Sequence, residues 1–254
     1  MNSNTIEKAL ISKDTYPQYF PLGDQVVIVQ YEKKVSIELS QNLLSFAELI
    51  KDADIQGVTQ IIPTFCSIAI RYNPLKLSYD EILSELQKLN VNIKTEKETI
   101  TKTDKIVHIP VFYGEEYGPD LEYVSEKTGL TTSELIRLHS SNLYYIYMLG
   151  VIGSFPYCGD LDKKLSLKRR SSPRIKIEKG SIVIANEQTI IVSLESPSGW
   201  HIIGRTPFDT FKPEQNPPSP FVAGDFIKFE PISKEVMENW DENMQSEWTK
   251  RWNS

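Results

Sequence analysis

Leu194–Pro207 reads LESPSGWHIIGRTP, and its pattern decides how the second half of the chain is built. Pro197, Ser198 and Gly199 are turn residues set between two apolar runs, so the segment predicts strands at Thr189–Leu194 and Trp200–Ile203 paired across a turn. Glu195, His201 and Arg205 fall in or beside that hairpin and bring a carboxylate, a titratable imidazole and an anion-pairing fork into one short span. Such a density marks a site lining. In an alternating strand Trp200 and His201 point to opposite faces, so both line one wall only if a bulge intervenes.

Outward from this segment the chain stays β-rich. Short apolar runs at Leu143–Val151, Ser181–Ala185 and Phe226–Phe229 are separated by Gly, Pro and Ser, the pattern of a closed or nearly closed barrel. Two helices precede them, Asp120–Thr128 and one starting at Thr131, where Glu134 three residues on completes a capping box. Near the N-terminus, Gln25–Tyr31 reads as a strand and Gln41–Lys51 as a helix, with Leu43, Phe46, Ala47 and Ile50 at helical spacing. A hairpin follows, Val58–Ile62 and Cys66–Tyr72 around Pro63 and Thr64, then a helix over Ser78–Leu89. With a closing strand at Asn90–Lys94 or Ile106–Val111, the order is that of a ferredoxin-like βαββαβ domain.

The fold class is therefore α+β. The ferredoxin-like domain spans residues 1–95, and the polar run TEKETITKTDK places a linker at 96–105. The barrel domain spans 106–235, and a C-terminal amphipathic helix spans 236–254. In that helix Met237, Trp240, Met244, Trp248 and Trp252 recur every three or four residues.

With 40% apolar and 24% charged residues, the 254-residue chain has the composition of a folded globular protein. A net charge of -6 without a basic stripe argues against nucleic-acid binding. The longest apolar run is too short to span a bilayer and the N-terminus lacks a signal-peptide core, so the expectation is a cytoplasmic protein with no membrane partner. Cys66 and Cys158 suit reduced thiols, and His108, His139 and His201 lack paired metal-ligand spacing, so no metal is expected. Neither GxxxxGK[ST] nor GxGxxG occurs, so no phosphate-binding motif can be claimed.

Three further segments complete a family pattern: IPVFYGEEYGPDL at Ile109–Leu121, LIRLHSSNLYYIYMLGVIGSFPYCGDL at Leu135–Leu161, and RRSSPR at Arg169–Arg174. Together with LESPSGWHIIGRTP, in this order and spacing, they resemble the family of B-type subunits of 5-oxoprolinase. That family includes the KipI kinase inhibitors and is also labelled allophanate hydrolase subunit 1 or carboxyltransferase subdomain C and D. The resemblance implies a cyclophilin-like barrel and an enzyme subunit that helps open 5-oxoproline to glutamate in an ATP-dependent hydrolase reaction. Its partners would be a C-type, cyclophilin-like subunit of the same complex together with an A-type one. The ATP site would be shared with a partner, and the substrate would be a small lactam or amide. The alternatives are inhibition of a histidine kinase and a role in an allophanate or urea-carboxylase type complex.

On this reading Arg170 and Arg174, held by a rigid turn at Pro173, are candidates for binding carboxylate or phosphate. Glu187 and Gln188 are candidates for orienting the lactam, with Glu187 also placed among the catalytic groups. His201 and His139 are candidates for moving a proton, Trp200 for covering a small ring, and Arg205 for a further substrate contact. His139 also falls at the end of the Thr131 helix, where it would serve as a C-terminal cap. The chain departs from the family at Asn186, Ile190 and Ser198, where glycine is common.

Overall fold

The computed structural model describes residues 16–95, 105–150 and 152–252. Nearly all of the expected linker, 96–105, lies outside the described residues, as do Val151 of the expected strand and the last two residues of the expected C-terminal helix. The chain divides into two compact units, one within residues 1–100 and the other within 101–254.

In the first unit the strands are β1 (Gln18–Pro21), β2 (Val26–Gln30), β3 (Val58–Pro63) and β4 (Ser67–Tyr72), with α1 (Ile37–Asp52) after β2 and α2 (Tyr79–Thr95) after β4. Ser36 caps α1 by accepting from the Leu39 N–H, which starts the helix earlier than its apolar spacing alone suggests. Leu43, Phe46 and Ile50 of α1 and Ile82 and Leu86 of α2 pack on Val27, Val29, Ile68 and Ile70 of the sheet. The strand order is β1-β2-β4-β3. Among the described residues no closing strand of the ferredoxin-like expectation joins this sheet: residues 90–94 continue α2, and 106–111 belong to the other unit. The place beside β2 is taken by β1, paired antiparallel from Gln18↔Gln30 to Pro21↔Val27. No Gly or Pro interrupts the chain between Ser78 and Thr95, so the helix runs on past Leu89.

The second unit contains β5 (Ile106–Tyr113), α3 (Leu121–Thr128), α4 (Thr132–Ser141), β6 (Leu143–Leu149), β7 (Pro156–Cys158), β8 (Arg174–Ile177), β9 (Ser181–Ala185), β10 (Gln188–Ile191), β11 (Ser196–Ser198), β12 (His201–Arg205), β13 (Phe226–Pro231), α5 (Lys234–Glu238) and α6 (Glu242–Thr249). Seven strands close a barrel in the order β10-β7-β6-β13-β5-β12-β9, while β8 and β11 form a separate ribbon. The capping box of α4 is present in both directions. Alternate residues of the strands fill the barrel, among them Val107, Ile109, Val111, Ile182, Ile184, Ile203 and Phe229.

The hairpin expected across Pro197–Gly199 does not form. β10 and β12 both pair with β9, which lies between them. The intervening Ser196–Ser198 leaves the barrel wall to pair with β8. The departure has a packing reason, because every residue of β9 is buried. Ile182 and Ile184 face the barrel interior, whereas Val183 and Ala185 face an outer cluster completed by Ile177 of the ribbon and by Trp200.

The C-terminal stripe is carried by two short helices and not by one. Ser233 caps α5, and Asp241 caps α6 by accepting from the Met244 N–H. In a straight helix, four-residue spacing would carry successive tryptophans around the axis and away from a common surface. The break at residues 239–241 resets the direction, and Trp240, Trp248 and Trp252 all pack against the barrel core. The indole N–H groups of Trp248 and Trp252 both donate to the His108 carbonyl at 3.0 Å. Among the described residues no helix is long and apolar enough to cross a membrane.

Candidate functional site

Two of the residues singled out from sequence, Arg170 and Arg174, meet on a residue that was not. Asp120 ends the Gly-Pro-Asp run before α3 and is 4% exposed. It sits at the N-cap position, yet its carboxylate makes no capping bond. One oxygen accepts from Arg170 Nη1 at 3.0 Å and Arg174 Nη2 at 2.7 Å, and the other from Arg174 Nη1 at 2.7 Å and the Ile202 N–H at 2.8 Å. Its backbone N–H donates to the Ile202 carbonyl at 2.9 Å. Four donors saturate the carboxylate, and the arrangement locks the loop before α3 to β12.

Gly118 makes this approach possible, since a Cβ there would stand 2.2 Å from the Ile203 carbonyl oxygen. Burial acts to raise the Asp120 pKa, but the Arg174 hydrogen bonds, the Ile202 N–H and the two guanidinium charges outweigh it and hold the group below the usual aspartate value. The bond to Asp120 in turn raises the pKa of Arg174. Sequence reading passed over Asp120 because one acidic residue before a helix looks like a cap. The available signal was its place in IPVFYGEEYGPDL, directly after Gly-Pro.

A strap, residues 166–173, crosses the end of the barrel wall above this junction. Leu167 bridges Asn186 in the β9–β10 turn, and the Arg170 N–H donates to the Gly199 carbonyl at 2.7 Å. His201, 3% exposed, places Nε2 2.9 Å from the Lys168 carbonyl. A carbonyl only accepts, so Nε2 carries the proton, and in the neutral ring Nδ1 presents a lone pair. Among the described residues Nδ1 is buried without a hydrogen-bond partner, as is Nε of Arg170. The exposed ring of Tyr123 stacks on the imidazole at 5.5 Å.

The remaining candidates divide. Glu187 is exposed in the β9–β10 turn at this same end, and Gln188, half-buried, opens β10. Trp200 is 5% exposed and belongs to the outer cluster with Val183, Ile190 and Ile202, with the Arg169 guanidinium over its ring at 5.5 Å. Its neighbour His201 turns to the other face, as strand alternation requires. Arg205 closes β12, about 13 Å along an extended strand from His201, and lies over the Tyr117 ring. It is not brought to the Asp120 junction. Glu195 pairs with Lys176 on the ribbon.

His139, in the last turn of α4, is fully buried within the barrel unit and away from the Asp120 junction's hydrogen bonds. Nδ1 meets the Tyr113 hydroxyl at 2.8 Å, Nε2 meets Thr189 Oγ1 at 3.0 Å, and the ring stacks on Phe229 at 4.6 Å. Burial pushes its pKa down to about 3, so it stays neutral across the physiological range.

Of the three positions where the family commonly has glycine, only Asn186 has positive φ, 53°, a conformation that asparagine tolerates. Ile190 sits in β10, and Ser198 in β11 accepts the Trp200 N–H. Neither position asks for glycine.

Among the described residues no group of three or more His, Cys, Asp or Glu side chains could hold a metal ion. A cavity of about 600 Å³ lies between the 208–220 loop and α6, and its lining includes none of the residues around Asp120.

Comparison with known proteins matches residues 17–221 to the model of the carboxyltransferase domain, subdomain C and D. The chain is 33% identical over 223 residues to the B-type subunit of 5-oxoprolinase from Bacillus subtilis (strain 168), with 84% of this chain and 92% of that one matched. It superposes on the solved structure of TTHA0988 with a TM-score of 0.72 and 27% identity, covering 82% of this chain and 40% of that one, so it spans about two fifths of that longer chain. The K. lactis urea amidolyase shares the fold, with a TM-score of 0.70 at 17% identity over 87% of this chain and 15% of that one.

Proposed function

The chain belongs to the family of the carboxyltransferase domain, subdomain C and D, and from that premise we propose that it serves as the B-type subunit of an ATP-dependent 5-oxoprolinase. The observation that carries this reading is the match to the Bacillus subtilis protein of that type, which takes in 92% of its length. On this reading it works in the cytoplasm with A-type and C-type partners, and its barrel is of the cyclophilin-like kind. The first unit is a ferredoxin-like variant whose edge strand comes from the N-terminal side.

The substrate end of the site is assigned to Arg170, His201 and the Glu187–Gln188 turn. Asp120 and Arg174 act as positioning residues. A buried carboxylate with four donors is a rigid anchor, and it fixes the Arg170 guanidinium where a lactam can be held against it. Glu187, exposed at the rim, is placed to meet a ligand or a partner surface.

The residues present do not fit a triphosphate by themselves. Arg174 has both Nη groups on Asp120, and no glycine-rich loop opens a helix among the described residues. Nucleotide binding is therefore assigned to the partner side of the complex, and no step is routed through it on this chain.

The test is ATP-dependent loss of 5-oxoproline by the chain mixed with its A-type and C-type partners, omitting each component in turn, with Glu187→Ala as a site variant. Turnover that requires this chain and falls in the variant is the expected result. A stable complex with no turnover would overturn the assignment and favour a kinase-inhibitor or urea-type role.

A further inference from the structure

We propose that the cavity between the 208–220 loop and α6 binds a zwitterionic α-amino acid, with Lys212 taking a carboxylate and Glu242 the ammonium group. The inference rests on the 5-oxoprolinase reading only for the member of that class, glutamate, which lactam opening would release.

The cavity, of about 600 Å³, has the size of a small-molecule site, for which roughly 300–1,000 Å³ is usual. One of its walls, α6, lies beyond residue 221, where the family match ends. The frame is fixed from both sides. Gln245 of α6 clamps the loop, accepting the Asp209 N–H at 2.9 Å and donating to the Asp209 carbonyl at 3.4 Å. The loop closes on itself where the Lys212 N–H donates to the Pro218 carbonyl at 2.8 Å. Asp241 caps α6 and so sets Glu242 in its first turn. The rings of Phe208 and Trp252, with centroids 5.3 Å apart, belong to the lining together with Pro217, Pro218 and Pro220 and make part of the wall apolar.

Charge decides the class of ligand. Asp209, Lys212 and Glu242 are the charged residues of the lining. Asp209 is neutralised by Lys179 at 2.7 Å. Neither Lys212, which is half-buried, nor Glu242, which is exposed, has an ion-pair partner among the described residues, and they do not pair with each other. One cation and one anion left over in a single cavity match a ligand that carries one charge of each sign. A simple anion would leave Glu242 facing it, and a simple cation would leave Lys212. Beside an apolar wall these charges are screened less than on an open surface, so each contributes more to binding. Gln215, Asn216 and Ser246 line the same cavity and supply neutral donors for the second carboxylate of glutamate. In 5-oxoproline the nitrogen is an uncharged amide, so Glu242 separates the amino acid from the lactam.

The test is titration of the isotopically labelled full chain with L-glutamate, followed by amide NMR shifts. Saturable binding in the roughly millimolar range is expected, with shifts confined to the 208–220 loop and α6. N-acetyl-L-glutamate and 5-oxoproline, which carry no ammonium group, should bind roughly tenfold more weakly or worse. Glu242→Gln should bring glutamate and its N-acetyl form to near equal affinity, and Lys212→Gln should weaken both. Neither residue belongs to the barrel core, and an unchanged urea midpoint checks that each variant is folded.

No saturable shift, shifts around Asp120 instead, equal binding of the N-acetyl form by the native chain, or affinities unchanged in both variants would overturn the inference and leave the cavity a solvated cleft. Glutamate binding by a chain whose complex with its partners does not turn over 5-oxoproline would sink the substrate reading and keep the amino-acid site. Turnover without glutamate binding would do the reverse.

Discussion

Lowering the pH from 7 to 5 should destabilise the barrel through His139 before any carboxylate chemistry intervenes. His139 is fully buried and its pKa falls from 6.5 to about 3, with burial as the cause. The folded state keeps the ring neutral, while the unfolded chain takes up a proton below pH 6.5. The stability is therefore whole above pH 6.5 and is lost as pH falls from there toward 3. At 1.36 kcal/mol per unit, the loss reaches about 2 kcal/mol at pH 5, a figure that hardly changes for any folded value below about 4. All four tryptophans, Trp200, Trp240, Trp248 and Trp252, lie in the barrel unit, so urea titration followed by tryptophan fluorescence reports that unit alone. The control is His139→Gln, which retains one of the two hydrogen bonds and removes the titrating group. Native protein should lose about 2 kcal/mol more than the variant between pH 7 and 5. Equal losses, or imidazole resonances of His139 that titrate near pH 6.5, would refute the reasoning. Turnover per folded molecule should survive in the variant, since His139 is remote from solvent; its loss would assign the residue a catalytic role.

Replacing Asp120 by Asn should lower barrel stability by about 2–3 kcal/mol in urea titration at pH 7, because a buried carboxylate with two guanidinium partners loses its charge while the arginines remain partly exposed to water. The folded pKa of Asp120 is depressed, so its contribution is present above the unfolded value and disappears as pH falls below about 4. The difference between native and variant should shrink in that range. Trp252→Ala should cost about 3–5 kcal/mol in the same assay, since the indole is 7% exposed and its N–H holds the His108 carbonyl. A loss under about 1 kcal/mol would mean that the C-terminal helices are not part of the barrel's cooperative unit.

Much of the architecture was legible because it rests on local rules. Spacing of Leu43, Phe46 and Ile50 marked α1, the Thr131–Glu134 box marked α4, and alternating apolar runs marked the barrel strands. Motif order identified the family. Where reading failed, the deciding contact was between distant residues. The segment at Pro197–Gly199 looked like a hairpin turn because its neighbours are apolar, but which strand a strand joins is set by the whole sheet, and β9 came between. His139 looked like a helix cap because a cap is judged from chain position, whereas its burial depends on strands fifty and ninety residues away at Thr189 and Phe229.

The candidate site divides in the same way. The sequence by itself supplied residue types, naming Arg170, Arg174 and His201 as polar groups with site chemistry. Only the tertiary structure decided which charges face one another. It placed Asp120 against both arginines from fifty and fifty-four positions away. Charge pairing acts through space over a few ångströms, and chain separation carries no record of it. Periodicity is local and survives in the sequence; neutralisation of a guanidinium by a buried carboxylate is a property of the folded molecule.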